Sequence, residues 1–132
     1  MFEKPAESRS VLTVFMLVKT NAEWLALPVE QRYAELLEYL QPPLDRHPTV
    51  QLRWYDTEFY SARVTDTWMW ETSDAHEYEL VVEELRETPL WDRYFSVVEI
   101  LPGVLNAYAD NYGRSAIGSA RSDTWRSGGQ SL

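Results

Sequence analysis

The stretch R-W-Y-D-T-E-F-Y-S-A-R-V-T-D-T-W-M-W-E, residues 53–71, decides how this chain is read. Two runs of strand-forming residues meet here around a short polar centre. The connection is short enough to make them an antiparallel hairpin. Alternation divides the first run, residues 50–60: Val50, Leu52 and Trp54 share one face, and Gln51, Arg53 and Tyr55 share the other. In the second run, residues 64–71, Asp66, Trp68 and Trp70 share a face opposite Thr65, Thr67, Met69 and Glu71. The hairpin tip lacks an Asn-Gly or Gly-Gly signal, so the register between the two runs stays open.

Working outward, residues 11–19, V-L-T-V-F-M-L-V-K, are apolar on both faces, as expected of a strand covered on both sides. Pro28 suits the first turn of a helix, and Val29, Tyr33, Leu36, Leu37 and Leu40 recur at helical spacing after it. Pro42-Pro43 should end this helix, and His47, beside Pro48, reads as a surface residue of the connector. After the hairpin, Asp74 and Glu77 have the spacing of a capping box. Tyr78, Val81, Val82 and Leu85 then give the second helix its apolar stripe, and Pro89 stops it. Residues 96–101, S-V-V-E-I-L, form the last strand, closed by Pro102-Gly103, and residues 104–112 read equally as strand or extended arm.

The order is β-α-β-β-α-β, the α+β arrangement of ferredoxin-like folds: a four-stranded antiparallel sheet with two helices on one face. The other face is left bare, yet the strands present apolar residues and rings there. A monomer would expose a large apolar patch, so a homodimer pairing two sheets face to face, a dimeric α+β barrel, is expected. Residues 11–112 form the domain, residues 1–10 a loose arm, and residues 113–132 a flexible Gly/Ser/Arg-rich tail in which Trp125 is a candidate anchor.

Composition excludes several function classes. The 132 residues carry a net charge of −9, which repels phosphate backbones and argues against nucleic-acid binding. With no cysteine, disulfides and thiolate chemistry are absent. The polar start does not suit a secretory signal, and the longest apolar run is too short for a bilayer, so no membrane partner and a cytoplasmic location are expected. There is no phosphate-binding glycine loop, no G-x-S-x-G and no H-E-x-x-H. Two histidines 29 positions apart make a poor metal set, and a haem would want an axial histidine, for which only His76 offers itself. No cofactor is expected.

The chemistry left to the hairpin is that of rings, arginines and carboxylates. Arg53 and Arg63 suit the carboxylate or enolate oxygen of a ligand. Asp66 is the candidate general base, with Asp56, Glu58 and Glu71 as further carboxylates. His76, in a helix first turn whose field disfavours a positive imidazole, is a candidate neutral base. The candidate catalytic set is therefore Arg53, Asp66 and His76, with Tyr55, Phe59, Arg63, Trp68 and Trp70 holding a substrate. The competing reading pairs these charges across strands on a solvated face and packs the rings as core.

The run V-Q-L-R-W-Y-D-T-E-F-Y-S-A-R-V-T-D-T-W-M-W-E-T, with Y-E-L-V-V-E-E-L-R-E-T, P-L-W-D-R-Y-F-S-V-V-E-I-L-P-G and N-A-E-W-L-A-L-P-V-E-Q-R, resembles the darcynin family over roughly residues 11–112. The resemblance implies the dimeric α+β barrel fold and brings no catalytic residue with it. Two functions follow as expectations. One is a small cofactor-independent enzyme acting on an aromatic or polyketide-like molecule by proton transfer, cyclisation or oxygenation. The alternative is a non-catalytic small-molecule-binding or interaction protein.

Overall fold

A computed structural model describes residues 11–118. Its elements run β1 (Leu12–Thr20), α1 (Ala22–Leu25), α2 (Val29–Tyr39), α3 (Gln41–Arg46), β2 (Gln51–Asp56), β3 (Asp66–Thr72), α4 (Ala75–Arg86), β4 (Phe95–Val104) and α5 (Ala107–Asn111). The four strands form one antiparallel sheet in the order β2-β3-β1-β4, the ferredoxin-like arrangement expected from the sequence. Residues 11–103 make one compact unit, and the described residues 104–118 belong to a second. In that second unit Tyr108 and Tyr112 pair their rings at 5.2 Å between centroids, on and just after α5. The arm at 1–10 and the tail at 119–132, with Trp125, lie outside the described residues.

Alternation explains which face is covered. In the β1–β3 ladder Val14 pairs with Trp70, Met16 with Trp68 and Val18 with Asp66; in the β2–β3 ladder Leu52 pairs with Trp70 and Trp54 with Trp68. All of these side chains except Asp66 join Val81 and Leu85 of α4, Leu36 of α2 and Phe95 of β4 in one hydrophobic core. The opposite face carries Thr13, Phe15 and Leu17 from β1, Arg53 and Tyr55 from β2, and Thr67, Met69 and Glu71 from β3. Phe15 and Tyr55 are exposed on it, as are Val98 and, two positions on, Ile100 of β4.

Several boundaries differ from the sequence reading, each for a local reason. The first helical segment is three helices rather than one: α1 is a short turn after β1, and α3 restarts at Gln41 with its prolines in the first turn, where a missing N–H is harmless. The hairpin strands are shorter than expected because residues 57–65 close a loop of their own. Thr57 N–H donates to Thr65 O at 3.0 Å, and the N–H groups of Tyr60 and Ser61 return to Thr57 O. β4 runs through Pro102-Gly103 to Val104, because β4 is an edge strand and a proline there forfeits no ladder bond. Asp74 is the N-cap, its carboxylate accepting from His76 N–H at 3.0 Å, but the capping box does not close: Asp74 N–H donates to Thr72 Oγ1 and Glu77 turns to His47. No helix among the described residues is long and apolar enough to cross a membrane.

Candidate functional site

A cleft of about 490 Å³ opens on the helix-covered side of the sheet, between the β2–β3 end and helices α1 and α2. Rings make its walls. Trp24 lies 4.8 Å from Phe95 between ring centroids, and Trp54 meets Phe95 edge-on at 5.7 Å. Val29, Tyr33 and Leu36 of α2 supply the outer wall. This is why α2 keeps Val29 and Tyr33 exposed although they lie on its apolar stripe. They face the cleft rather than the core.

The far end of the cleft is acidic, with Asp56, Glu58 and Asp66 in its lining. Asp56 ends β2 and Asp66 begins β3, and the ladder sets them directly opposite each other. Paired residues in an antiparallel sheet send their side chains to the same face. Asp66 is 5% exposed. Its Oδ1 accepts from the Trp54 indole N–H at 2.8 Å, and its Oδ2 accepts from the Thr65 hydroxyl at 2.7 Å. That hydroxyl oxygen also accepts the Thr20 N–H at 2.9 Å. Burial pushes the Asp66 carboxyl above the usual carboxylate range, and the neighbouring Asp56 pushes the same way. The Thr65 and Trp54 donors pull it back only in part. The lining includes one cation, Arg32, which spends Nε on Leu27 O and Nη2 on Leu25 O, both at 3.0 Å. Its charge braces the α1–α2 corner.

The structure separates the residues that the sequence suggested as one site. Asp66 lies in the cleft wall. Arg53 pairs with Met69, which puts it on the opposite face of the sheet. His76 sits on the first turn of α4 with its side chain 71% exposed and Nδ1 3.5 Å from Glu79. The proposed trio of Arg53, Asp66 and His76 is therefore not assembled. Tyr55 pairs with Thr67 and shares the Arg53 face. Phe59 is exposed on the 57–65 loop, and Arg63 reaches across to Glu99 at 3.4 Å.

Trp68 and Trp70 are core residues: both are buried, Trp70 completely, with Trp68 against Phe95 and Trp70 against Tyr78. Neither lines the cleft, because Phe95 packs on Trp68 and Tyr78 of α4 packs on Trp70. The reading of His47 as a surface residue is also overturned. Its side chain is 14% exposed and its two ring nitrogens meet Glu77 and Glu84. Neither histidine is placed as an axial ligand in an enclosed pocket. No cluster of three or more metal-ligating side chains suited to an ion occurs among the described residues.

Sequence reasoning did not single out Trp24, Tyr33, Trp54 or Thr65 for the site. Its usable signal was parity. Asp56 shares a face with Trp54, and Asp66 with Trp68, so an even register already places both carboxylates on the ringed side.

The comparisons with known proteins agree with this fold. The sequence pattern described as "Darcynin, domain of unknown function" matches residues 4–122. A darcynin homolog of Granulibacter bethesdensis is 64% identical over 107 residues, covering 80% of this chain and 86% of that one. Another from Streptomyces avermitilis is 53% identical over 108 residues, covering 81% and 89%. Among solved structures, a chlorite dismutase mutant from Candidatus Nitrospira defluvii superposes with a TM-score of 0.61 at 26% identity, over 78% of this chain and 43% of that one. The same enzyme in complex with imidazole gives 0.60 at 17% identity, over 71% and 39%. The chain thus spans only about two-fifths of the chlorite dismutase chains it matches. With a matched pattern that takes in the whole described unit and relatives above half identity, the chain belongs to the darcynin family.

Proposed function

We propose that this protein is a cofactor-independent enzyme that moves a proton on a small aromatic molecule, working as a cytoplasmic homodimer. The observation that carries this reading is the Asp56–Asp66 pair in the wall of an aromatic cleft. Two carboxyls facing each other resist double ionisation, and burial adds to the push that raises Asp66 toward its protonated form. Such a pair holds an acid and a base in one place. In the step we assign to it, the ionised carboxylate takes a proton from a C–H or O–H of the ligand, and the electron pair stays on the ligand. The protonated carboxyl returns a proton at a second atom, so the product is a tautomer or isomer of the substrate and no redox partner is needed.

The lining also favours a ligand class. The exposed Tyr33 and the half-buried Trp54 offer ring surface to a flat ligand, backed by the buried Trp24 and Phe95. The acidic end, with Asp56, Glu58 and Asp66, welcomes hydroxyl or amino donors and repels a ligand carboxylate. Hydroxylated one- and two-ring aromatics, including phenolic polyketide-like molecules, fit best. Dimerisation is supported by the apolar residues exposed on the other sheet face, Phe15, Tyr55, Val98 and Ile100.

The test uses a panel of hydroxylated, amino and carboxylated aromatics in D2O. Binding is followed by tryptophan fluorescence and proton exchange by NMR. Phenols and amines should bind and take up deuterium at a ring or side-chain carbon, and Asp66→Asn should bind but exchange slowly. Equal exchange by wild type and Asp66→Asn defeats the enzyme reading. Binding without exchange even in the wild type leaves a small-molecule-binding protein. Sedimentation as a stable monomer removes the dimer.

A further inference from the structure

We propose that His47 is a pH-dependent latch that fastens α3 to α4 when its imidazole is protonated. The backbone of His47 is fixed first. It is the C-cap of α3, its N–H donates to Pro43 O and Leu44 O, and its carbonyl accepts Val50 N–H at 3.0 Å at the entry to β2. The ring then points at α4. Nδ1 lies 2.9 Å from Glu77 Oε1, and Nε2 lies 2.8 Å from Glu84 Oε2. Glu77 and Glu84 are seven residues apart, two turns on one face of α4, so a single imidazole spans both.

The chemistry of the two contacts sets the protonation state. An ionised carboxylate only accepts, and a neutral imidazole has only one N–H. A neutral ring can therefore satisfy one glutamate while its other nitrogen turns a lone pair toward the second. Both contacts are attractive only for the imidazolium.

The remaining charges near the ring reinforce this. Arg46, from α3, pairs with Glu84 Oε1 and keeps that carboxylate ionised, so Glu84 is shared between Arg46 and His47. Asp45, also on α3, is turned to Gln41 Nε2 at 2.8 Å. At the start of β2, Thr49, Val50 and Gln51 bring no ionisable group. Hydrogen bonds to Glu77 and then Glu84 raise the His47 ionisation above its usual value, and burial opposes them. The sign follows from that direction. A raised histidine contributes stability that is complete below about 6.5 and is lost as pH rises through the higher folded value.

α3 does not move alone. Leu40 is both the C-cap of α2 and the N-cap of α3, and α2 forms the outer wall of the cleft through Val29, Tyr33 and Leu36. Releasing the latch at higher pH loosens that wall, a consequence that rests on the cleft being the working site. The latch itself does not.

The test is an NMR titration of the histidine ring nitrogens in the full chain between pH 5 and 9, with His47 assigned by the signal lost in His47→Gln. Its midpoint should lie above about 6.5, and Glu77→Gln and Glu84→Gln should each lower it. Amide-exchange protection over residues 41–47 should fall roughly fivefold as pH passes that midpoint, and should lose this pH dependence in Glu77→Gln. A midpoint at or below about 6.5, or protection that does not change across it, overturns the latch. If His47→Gln does not fold, Glu77→Gln carries the test, because its substitution leaves the capped turn of α3 untouched. Asp66→Asn should leave the His47 midpoint where it is, so failure of the cleft reading and failure of the latch are read separately.

Discussion

Among the described residues carboxylates converge at the cleft and at the latch, and the two places behave in opposite ways. At the cleft, Asp56 faces Asp66 across a strand pair, and Asp66 accepts from the uncharged Trp54 and Thr65. At the latch, Glu77 and Glu84 face His47, with Arg46 behind Glu84. At the first, burial and the facing carboxylate push Asp66 toward its protonated form. The second holds a cation. Burial drives Asp66 upward, whereas Arg46 and His47 hold Glu84 below the usual carboxylate range. A carboxyl pushed toward its protonated form is suited to give a proton away, and a group locked in an ion pair is suited to hold two helices together. The −9 charge of the chain says nothing about this division; the partners do.

The sharpest way to break the contrast is Asp66→Asn. Loss of a positioned acid or base costs about 10²–10⁴-fold in rate, and that is the loss expected in the deuterium-exchange assay. Stability should move the other way. Because the Asp66 carboxyl is raised in the folded state, the native protein bears a cost once the group ionises. That cost is absent below about 3.9 and grows as pH rises through the folded value. Asp66→Asn should therefore show an unchanged or slightly higher Tm at neutral pH. A large drop in Tm would make Asp66 a structural residue and remove the distinction between the two clusters.

Glu84→Gln is the matching change at the latch. It removes the shared partner of Arg46 and His47 and should cost about 1–2 kcal/mol, below the range for fully buried charged hydrogen bonds because the group is partly exposed. Glu84 is lowered in the folded state, so its contribution is present above about 4.3 and is lost as pH falls through the folded value. His47 loses its part on the alkaline side. The Tm difference between wild type and Glu84→Gln should therefore peak in mildly acidic solution and shrink toward both ends. A difference flat from pH 3 to 9 would show that the ion pairs contribute nothing.

Asp56→Asn is subtler. It leaves Asp66 buried but removes the adjacent negative charge, so Asp66 should ionise at lower pH, and the pH–rate profile for exchange should shift the same way. A profile that stays put would mean that burial alone sets Asp66 and that the pair is a coincidence of register.

Much of the fold was legible because it rests on local signals: the apolar run of β1, the Asp74 cap, the stripe Tyr78–Val81–Val82–Leu85 and the Pro89 stop all name their elements. The site was less legible, because it depends on which face the helices cover. Trp68 and Trp70 look like ligand walls beside Arg53 and Tyr55 in a linear reading, yet alternation puts them on the other side, where α4 buries them. His47 was misread for a similar reason. Its partners lie 30 and 37 residues away on α4, and no local pattern announces an imidazole spanning two turns of a distant helix. The Asp56–Asp66 pairing needed the register, which a hairpin tip without Asn-Gly did not supply.

The smallest expected effects belong to Arg53→Ala and His76→Ala, and they carry a strong test. Arg53 points to the sheet face away from the cleft, with the β2 and β3 backbones between it and Asp66. His76 is exposed at the start of α4, paired with Glu79. Charges so placed reach the cleft only through solvent or through the sheet, and at physiological salt the solvent route is screened within about 8 Å. Exchange rate and phenol affinity should stay within about twofold of wild type in both variants. Arg53 has a partner of its own, so its variant is assayed well below its Tm to keep a stability loss out of the comparison. If Arg53→Ala abolishes binding in a folded protein, the ligand sits on the open face with Phe15 and Tyr55. The Asp56–Asp66 pair then becomes a second structural cluster, and the two acidic regions differ only in how they are neutralised.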